Sequence, residues 1–369
     1  MDLHTTIAGI RLENPLMPAS GPLTGDAEKM LAIGAQGVGA MVSKTIARTG
    51  AQVPRPCIYA GRDYVLNAEL WSEYGPDVWL KEFLPVYKAG DPQRPLFVSV
   101  GYNKEDVAFL IPELAPFADA FEISTHYVGK DLDTIAQTVR AVRDSTDKPF
   151  FFKLSPHIPD VVAFAQMVLE NGGSGVVSIN SLGPTVKIDL AARGVLFGNT
   201  DGEAWTSGPV IKSMALAIVN KIKKALPSCT VIGAGGVSSA DDVLEFLLAG
   251  ADGVQMLSGA MLKGRDLYEK IIAALPAALE TYGFASVEDV VRAKLKPYAV
   301  RYEKHVPVIS HAACMRCGAC AKKCPYFAIH MNGTAEIDAE KCFGCGLCQS
   351  VCPVGAITGA FGDAEGKKG

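Results

Sequence analysis

Eight cysteines near the end of the chain recur at a spacing that suits metal coordination. They form two runs of the pattern C-x2-C-x2-C-x3-C-P, namely Cys314, Cys317, Cys320 and Cys324, then Cys342, Cys345, Cys348 and Cys352. Each iron of a [4Fe–4S] cluster takes one thiolate, and three closely spaced cysteines with a fourth from elsewhere meet that need. The spacing therefore predicts iron–sulfur clusters, which pass electrons one at a time.

The two runs repeat at an offset of 28 residues, from Cys314 to Cys342, and resemble bacterial two-cluster ferredoxins over roughly residues 308–360. In that family the fourth cysteine of each run ligates the other cluster. The resemblance implies that Cys352 completes the first cluster and Cys324 the second. The alternative is a pair of four-thiolate zinc sites, but these combine CxxC with CxxC and have no use for a third cysteine two residues on.

Two glycine-rich segments form a second candidate site. Ile232-Gly-Ala-Gly-Gly-Val-Ser-Ser and Met256-Leu-Ser-Gly-Ala each continue a β-type apolar run. Glycines at such positions let backbone N–H groups close on a phosphate. The segments predict a phosphorylated ligand, and the alternative is a glycine-rich rim with no ligand. No βαβ unit with a ribose-binding acid follows, so they are not a dinucleotide fingerprint.

The elements that must position these segments alternate along the first three hundred residues. Strands are predicted at Pro15–Pro18, Gly39–Ser43, Leu96–Val100, Ala120–Ser124, Phe150–Leu154, Gly175–Ile179, Thr230–Ile232 and Gly253–Met256. Helical spacing occurs between them, as at Thr134–Arg143, Val161–Glu170 and Val210–Ala225. Eight strand–helix units predict a parallel (β/α)8 TIM barrel, whose active site forms at the carboxyl ends of the strands.

The predicted fold class is therefore α/β, with the barrel over residues 1–304. A small α+β ferredoxin-like domain with two clusters follows over residues 305–369 and ends in a short flexible tail. Two connections, from about Thr45 to Arg94 and from Gly183 to Gly208, are longer than a barrel needs. Loops of that length are usually lids or small subdomains.

Composition limits the partners. The chain has 369 residues, 49% of them hydrophobic, and a net charge of −4 at pH 7, which gives no reason to expect nucleic acid or an anionic membrane. No apolar run reaches the roughly 18–20 residues that would span a bilayer. No signal peptide is visible, and cysteines at ligand spacing favour the cytoplasm. Cys57 and Cys229, outside the runs, are expected to be buried or inert thiols.

The barrel resembles the dihydroorotate dehydrogenase family, and more closely the FMN-binding half of dihydropyrimidine dehydrogenases, which also carry a two-cluster ferredoxin module. The resemblance covers nearly the whole chain. It rests on Asn14-Pro-Leu-Met-Pro-Ala-Ser-Gly21, Val42-Ser-Lys-Thr45, Asn67, Lys153 in Phe152-Lys-Leu, Asn180-Ser181, Ser207-Gly208-Pro-Val-Ile-Lys212, Gly233-Ala-Gly-Gly236 and Leu257-Ser-Gly259. It implies an FMN- and iron–sulfur-dependent oxidoreductase that passes electrons between the clusters and a C–C or C=C bond of a small substrate.

The resemblance also implies where FMN lies. Its phosphate would be held by Gly235, Gly236, Ser258 and Gly259, and its ring would be lined by Ala19, Ser20 and Gly21. Lys44 and Lys153 would lie beside flavin heteroatoms, where an ammonium near N1 stabilises the negative charge of reduced flavin. The other implied contacts are Thr45, Asn67, Ser124, Asn180, Ser181, Gly208 and Ala234.

One segment departs from the family. Members carry a segment of the type Asn-Leu-Ser-Cys-Pro-Asn with a cysteine or serine acid/base, whereas this chain has Glu122-Ile-Ser-Thr-His-Tyr-Val-Gly129. Ser124 takes the asparagine position and Tyr127 the cysteine position. A tyrosine, with a pKa of about 10, suits donating a proton, while His126 titrates nearer neutrality. Tyr127, His126 and Lys44 are the candidate catalytic residues, and the alternative is that the first two only pack the loop.

The departure removes amide groups that the family uses to grip a pyrimidine, and it leaves the substrate open. Glu69, Trp71 and Tyr74 of the long loop are candidates to shape a different pocket, while His157 is interpreted as a loop residue. The alternatives to a dihydropyrimidine or dihydroorotate enzyme are a ferredoxin-linked reductase of another conjugated carbonyl or enoyl substrate, and a non-catalytic FMN/Fe–S relay subunit. An enzyme needs an open pocket over Asn67, Ser124 and Asn180, whereas in a relay subunit this region is filled by side chains.

The expected redox partner is inferred from the lack of a visible nicotinamide-binding domain. No NAD(P)-binding domain is visible, so the expected partner is a ferredoxin or a separate NAD(P)H-oxidising flavoprotein subunit. The second arrangement is that of two-subunit bacterial dihydropyrimidine dehydrogenases. A homodimer is expected only by analogy with other barrels of the family.

Overall fold

A computed structural model gives the structure of residues 1–125, 129–293, 295–296, 298 and 300–361. The chain divides into two units, Met1–Leu295 and Lys296–Gly369. The first contains the predicted barrel and the second contains both cysteine runs. Among the described residues, no helix is long and apolar enough to cross a membrane.

The first unit is built on an eight-stranded parallel sheet. Its strands are Leu16–Pro18, Met41–Val42, Leu96–Val100, Ala120–Ile123, Phe150–Leu154, Gly175–Ser178, Thr230–Ala234 and Gly253–Met256. From the second strand onward each pairs with the next, and the eighth pairs with the first. The Gly39 N–H donates to the Leu16 carbonyl at 2.8 Å and links the first strand to the second. The predicted TIM barrel is confirmed, and each strand overlaps its predicted range.

Helices follow the strands and cover the outside of the barrel. The main ones are Ala27–Gly34, Leu84–Gly90, Lys104–Leu114, Leu132–Arg143, Val161–Glu170, Lys212–Ala225, Ala240–Ala249 and Leu267–Thr281. Several begin at a side chain that accepts a hydrogen bond from the first turn, as Asp160 does from Val162 and Ala163. Shorter helical segments are Pro22–Thr24, Pro76–Val78, Trp79–Phe83, Pro209–Ile211, Ser258–Lys263 and Val287–Arg292.

The interior of the barrel is layered by the two-residue period of its strands. Phe97, Ala120 and Phe151 belong to one buried apolar cluster, which also contains Ile7 and Leu12 of the N-terminal hairpin Thr5–Ile7 and Ile10–Leu12. Alternate residues of a strand face the same side. The residues two positions further on, Ser99, Glu122 and Lys153, therefore form the next layer toward the carboxyl ends.

The two long connections join in one antiparallel sheet. Its strands are Ile58–Ala60 and Val65–Asn67 from the first connection, and Leu182–Thr185 and Ala204–Ser207 from the second. A two-stranded hairpin, Ile188–Asp189 and Gly194–Val195, extends from the second connection. The first connection follows the second barrel strand and the second follows the sixth, and the sheet that they share agrees with the expectation of a lid or small subdomain. We refer to it as the lid sheet.

The second unit is internally repeated. Helix Ala319–Lys323 and strand Ile329–Asn332 of the first half correspond, 28 residues on, to helix Leu347–Ser350 and strand Ile357–Thr358. Strand Val308–Ile309 pairs with the last of these, and Ile329–Asn332 pairs with Thr334–Ile337. Its small core packs buried aliphatic residues with the cysteines.

Candidate active site

The carboxyl ends of the barrel strands open into a cavity of about 510 Å³. Every residue for which the sequence implied contact with FMN lines this cavity. They are Ala19, Ser20, Gly21, Lys44, Thr45, Asn67, Ser124, Lys153, Asn180, Ser181, Gly208, Ala234, Gly235, Gly236, Ser258 and Gly259. Asn67, Ser124 and Asn180 thus border open space, which is the arrangement that favours a substrate site over a filled relay barrel.

One end of the cavity is walled by backbone that only glycine can form. Gly235 and Gly236 have φ values of +117° and +85°, and a Cβ on Gly236 would lie 2.7 Å from the Cβ of Lys212. A Cβ on Gly259 would lie 2.3 Å from the Val237 carbonyl oxygen. Such a wall brings backbone N–H groups close to a ligand and fits a phosphate group.

A partly buried ion pair supports this glycine wall, with Lys212 packed against Gly236. Lys212 Nζ lies 2.5 Å from Asp242 Oδ1, and the other carboxylate oxygen of Asp242 accepts from the backbone N–H of Ser238 at 2.7 Å. Burial alone would raise the pKa of Asp242, but the hydrogen bonds from Lys212 and Ser238 hold it below its usual value. The carboxylate therefore fixes the loop that follows the seventh strand.

A polar cluster lies inside the barrel at the floor of the cavity. Lys153 Nζ donates to Glu122 Oε1 at 3.2 Å and to Gln255 Oε1 at 3.3 Å, and Gln255 Nε2 donates to Glu122 Oε2 at 2.7 Å. Glu122 and Gln255 are each 1% exposed. A buried ammonium is costly unless it is paired, and Glu122 provides the pairing charge.

Hydroxyl groups extend this cluster toward the cavity wall. Ser99 Oγ donates to Glu122 Oε1 at 3.5 Å and is hydrogen-bonded to Thr45 Oγ1 at 2.9 Å. Thr45 Oγ1 is in turn 3.0 Å from Ser20 Oγ. The chain of hydroxyls connects three barrel strands and fixes the side chains of Ser20 and Thr45.

The second cavity lysine is paired with a residue that follows the lid sheet. Lys44 Nζ lies 2.6 Å from Glu69 Oε1, and the two side chains are 5% and 10% exposed. Glu69 follows strand Val65–Asn67, and its backbone N–H donates to Asn67 Oδ1 at 2.6 Å. Asn67 therefore has a structural partner as well as a place on the cavity wall.

Aromatic side chains border the same side of the cavity. Trp71, Tyr102 and Trp205 all line it, and the first two meet edge-to-face at 5.1 Å between ring centroids. Burial raises the pKa of Tyr102 above its ordinary value, so its hydroxyl stays protonated. Trp71 and Glu69, which were expected to shape the pocket, line the cavity. Tyr74 is not among the lining residues, and its ring packs edge-to-face on Phe83.

The acid/base candidates stay predictions. Tyr127 and His126 lie outside the described residues, between Thr125 and Gly129. Thr125 and Ser124 line the cavity, and the Ser124 N–H donates to the Val100 carbonyl at 2.9 Å. His157 is exposed in a loop, as predicted.

Three lining residues have structural roles that the sequence did not assign, namely Glu122, Gln255 and Trp205. Glu122 and Gln255 could have been recognised in the sequence, because each is a polar residue within an apolar strand, Ala120–Ile123 and Gly253–Met256 respectively. Trp205 stands directly across from Asn67 in the lid sheet. That position depends on strand register, which the sequence did not reveal.

The second unit brings its cysteines together in two sets of four. One small cavity is lined by Cys314, Cys317, Cys320 and Cys352, and another by Cys342, Cys345, Cys348 and Cys324. The fourth cysteine of each run also accepts a backbone N–H, from Ala328 to Cys324 Sγ at 3.4 Å and from Ala356 to Cys352 Sγ at 3.2 Å. Such bonds are among the features that set the potential of an iron–sulfur cluster.

The two remaining cysteines are not part of either set. Cys229 is fully buried, and burial raises the pKa of its thiol to about 11. Cys57 is half-buried, and burial raises its pKa as well. Both thiols are therefore protonated at neutral pH, which agrees with the expectation that they are inert.

Two protein-family models match the chain. The model described as "Dihydroorotate dehydrogenase" matches residues 2–279, and the model described as "4Fe-4S dicluster domain" matches residues 307–358. The first covers the barrel and its cavity, and the second covers both cysteine runs.

Individual relatives agree with the barrel match. A protein of Pyrococcus horikoshii named "Dihydroorotate dehydrogenase B (NAD(+)), catalytic subunit" is 32% identical over 308 residues, 80% of this chain and 98% of the relative. A protein of the same name from Thermococcus kodakarensis is 34% identical over 78% of this chain and 97% of the relative. "Dihydroorotate dehydrogenase A (fumarate)" of Lactobacillus helveticus is 30% identical over 79% and 98%.

Proposed function

Because the chain belongs to the dihydroorotate dehydrogenase family, we propose that its cavity binds FMN and that the enzyme reduces a C=C bond of a small substrate, or oxidises the corresponding C–C bond, in exchange of electrons with iron–sulfur clusters. The observation that carries the proposal is the convergence of all the implied FMN contacts on one cavity. When bound, FMN exchanges two electrons with the substrate and single electrons with the clusters.

Different residues of the cavity are proposed to hold different parts of FMN. The glycine wall at Gly235, Gly236 and Gly259, with Ser258, receives the phosphate through backbone N–H groups. Ala19, Ser20 and Gly21 would lie against the ring. Lys153, fixed by Glu122 and Gln255, offers an ammonium to the ring edge that becomes negative on reduction.

The cysteines are proposed to hold two [4Fe–4S] clusters with crossed ligation. Cys314, Cys317, Cys320 and Cys352 would bind one cluster, and Cys342, Cys345, Cys348 and Cys324 the other. The two cavities with these same four-cysteine linings support the assignment.

Proton transfer to or from the substrate carbon is assigned to the segment after the fourth strand. Tyr127 stands at the family's acid/base position and His126 precedes it. The substrate is proposed to bind at the side of the cavity formed by Asn67, Asn180 and the aromatic residues. Tyr127 is the first choice as proton donor because of its high ordinary pKa.

A separate redox protein is proposed to exchange electrons with the clusters. Two of the relatives described above are named as catalytic subunits of an NAD(+)-dependent enzyme, which supports a further subunit for this chain too. A ferredoxin is the other candidate. A cytoplasmic location and a homodimer are the simplest settings for such an enzyme and are part of the proposal.

The test is an anaerobic screen of the reduced holoenzyme. FMN absorbance would be followed after mixing with uracil, thymine, orotate and simple enoyl compounds. The proposal expects flavin reoxidation by at least one compound, with one C=C bond reduced per two electrons. Purified protein that retains FMN but is reoxidised by none of them would contradict the proposed reaction.

A further inference from the structure

The charged groups on the cavity wall form a neutral set. Among the described residues that line it, the lysines are Lys44 and Lys153 and the carboxylates are Glu69 and Glu122. Each lysine lies within ion-pair distance of one carboxylate, at 2.6 Å for Lys44 and Glu69 and 3.2 Å for Lys153 and Glu122. The described wall therefore carries no net formal charge.

The two pairs occupy different parts of the cavity. Glu122 projects from a barrel strand into the buried floor, where Gln255 and Ser99 also bind it. Glu69 follows the lid sheet, and its neighbours Leu70 and Trp71 line the cavity with it. The Lys44–Glu69 pair thus lies on the cavity wall that also contains Asn67 and Trp71, where the substrate is proposed to bind.

This placement decides what Lys44 can bind. A substrate carboxylate that approached Lys44 would share one ammonium with Glu69, whose side chain is only 10% exposed, and like charges at short range repel strongly. An uncharged carbonyl or amide meets no such repulsion. It can also accept from the ammonium while Glu69 keeps its ion pair.

We propose that Glu69 is a specificity-determining residue that neutralises Lys44 and selects uncharged substrates over carboxylate-bearing ones. The inference rests on the proposed function, because it concerns the substrate of the same cavity. It identifies the substrate class as a neutral conjugated carbonyl or cyclic amide. Loss of the charge of Glu69 would give the described part of the wall a net positive charge.

The experiment compares equilibrium binding by the oxidised holoenzyme, followed by FMN absorbance, for matched pairs that differ by one carboxylate. Uracil against orotate and benzamide against benzoate are suitable. Wild type is expected to bind the neutral member of each pair more tightly. Glu69→Gln is expected to lower the ratio of the orotate to the uracil dissociation constant at least tenfold, and to tighten benzoate binding by a similar factor.

Two controls isolate the charge of Glu69. Glu73→Gln removes a carboxylate from the same segment, one that pairs with Arg55 outside the cavity lining, and should leave both ratios unchanged. Lys44→Met combined with Glu69→Gln should abolish the gain in anion binding. FMN content measured on each protein shows whether the site is intact.

Several results would overturn the inference. Tighter binding of orotate than uracil by wild type would do so even if Glu69→Gln failed to fold. Equal carboxylate affinities in wild type and Glu69→Gln, including affinities too weak to detect in both, would also do so. These titrations measure binding and need no turnover. Failure of this inference is therefore distinguishable from failure of the proposed reaction, which would appear as absent flavin reoxidation.

Discussion

Replacement of Lys153 by methionine tests the polar cluster on which the cavity floor depends. The change removes the ammonium that lies 3.2 Å from Glu122 and leaves that carboxylate 1% exposed. Loss of one partner from a buried ion pair costs about 3–5 kcal/mol. Gln255 and Ser99 still donate to the carboxylate, at 2.7 and 3.5 Å, so the lower end of that range applies. We expect a loss of about 3 kcal/mol in the free energy of unfolding.

The double variant Lys153→Met/Glu122→Gln separates the lost contact from the stranded charge. It leaves no carboxylate in the barrel interior at this point, and a glutamine can still accept from Gln255. Replacing both members of a buried pair by uncharged groups is often nearly neutral, so we expect a loss within about 1 kcal/mol of wild type. The double variant is then about 2 kcal/mol more stable than Lys153→Met alone.

The assay is urea unfolding of FMN-free protein followed by circular dichroism, so that altered cofactor binding does not contribute. A shift in the midpoint at constant slope reports stability alone. Lys221→Met, at an exposed position of helix Lys212–Ala225, is the matched control and should stay within about 0.5 kcal/mol of wild type. A Lys153→Met loss under about 1 kcal/mol, or a double-variant loss at least as large as the single, would refute the reasoning.

Further predictions concern catalysis, cofactor potential and pH. Tyr127→Phe should lower substrate turnover strongly while reduction of FMN by a one-electron donor continues, and unchanged turnover would remove Tyr127 from the mechanism. Lys153→Ala should lower the two-electron midpoint potential of FMN by about 30 mV or more, since 30 mV corresponds to 1.4 kcal/mol; a reductive titration that shows no shift would contradict its role. The pKa of Asp242 is depressed in the folded protein, so its stabilisation is present above about pH 4 and is lost as pH falls through the native pKa. The melting temperature should therefore fall more steeply between pH 5 and 3 in wild type than in Asp242→Asn, and parallel curves would rule out the linkage. Cys229, with its raised pKa, should resist iodoacetamide at pH 8 until the protein unfolds, and rapid alkylation of the native protein at that position would show that it is accessible.

The barrel strands were predictable because each is a short apolar run bounded by turn-forming residues. The residues at which a strand begins and ends were not always predicted correctly. The second strand is Met41–Val42 rather than Gly39–Ser43, because the Gly39 N–H instead bridges to the first strand at Leu16. Such a bond joins residues that are far apart in the sequence, so local pattern does not reveal it.

The candidate site was predictable as a set of positions but not as a set of contacts. Lys153 was identified from its place at the end of an apolar strand, yet its partner Gln255 is 102 residues away. Glu69 was recognised as part of a long loop, but its pairing with Lys44 depends on how the lid sheet closes over the barrel. These pairings decide the charge of the cavity, and only the folded chain shows them.

A reductive titration of the full-length protein, purified without oxygen, tests the central claim most directly. FMN takes two electrons, and each [4Fe–4S] cluster is expected to take one, so the account predicts uptake of about four electrons per chain, with bleaching at both the flavin and the iron–sulfur wavelengths. Uptake of about two electrons at the flavin alone would contradict the cluster assignment. Uptake with no flavin signal would contradict the assignment of FMN to the barrel cavity.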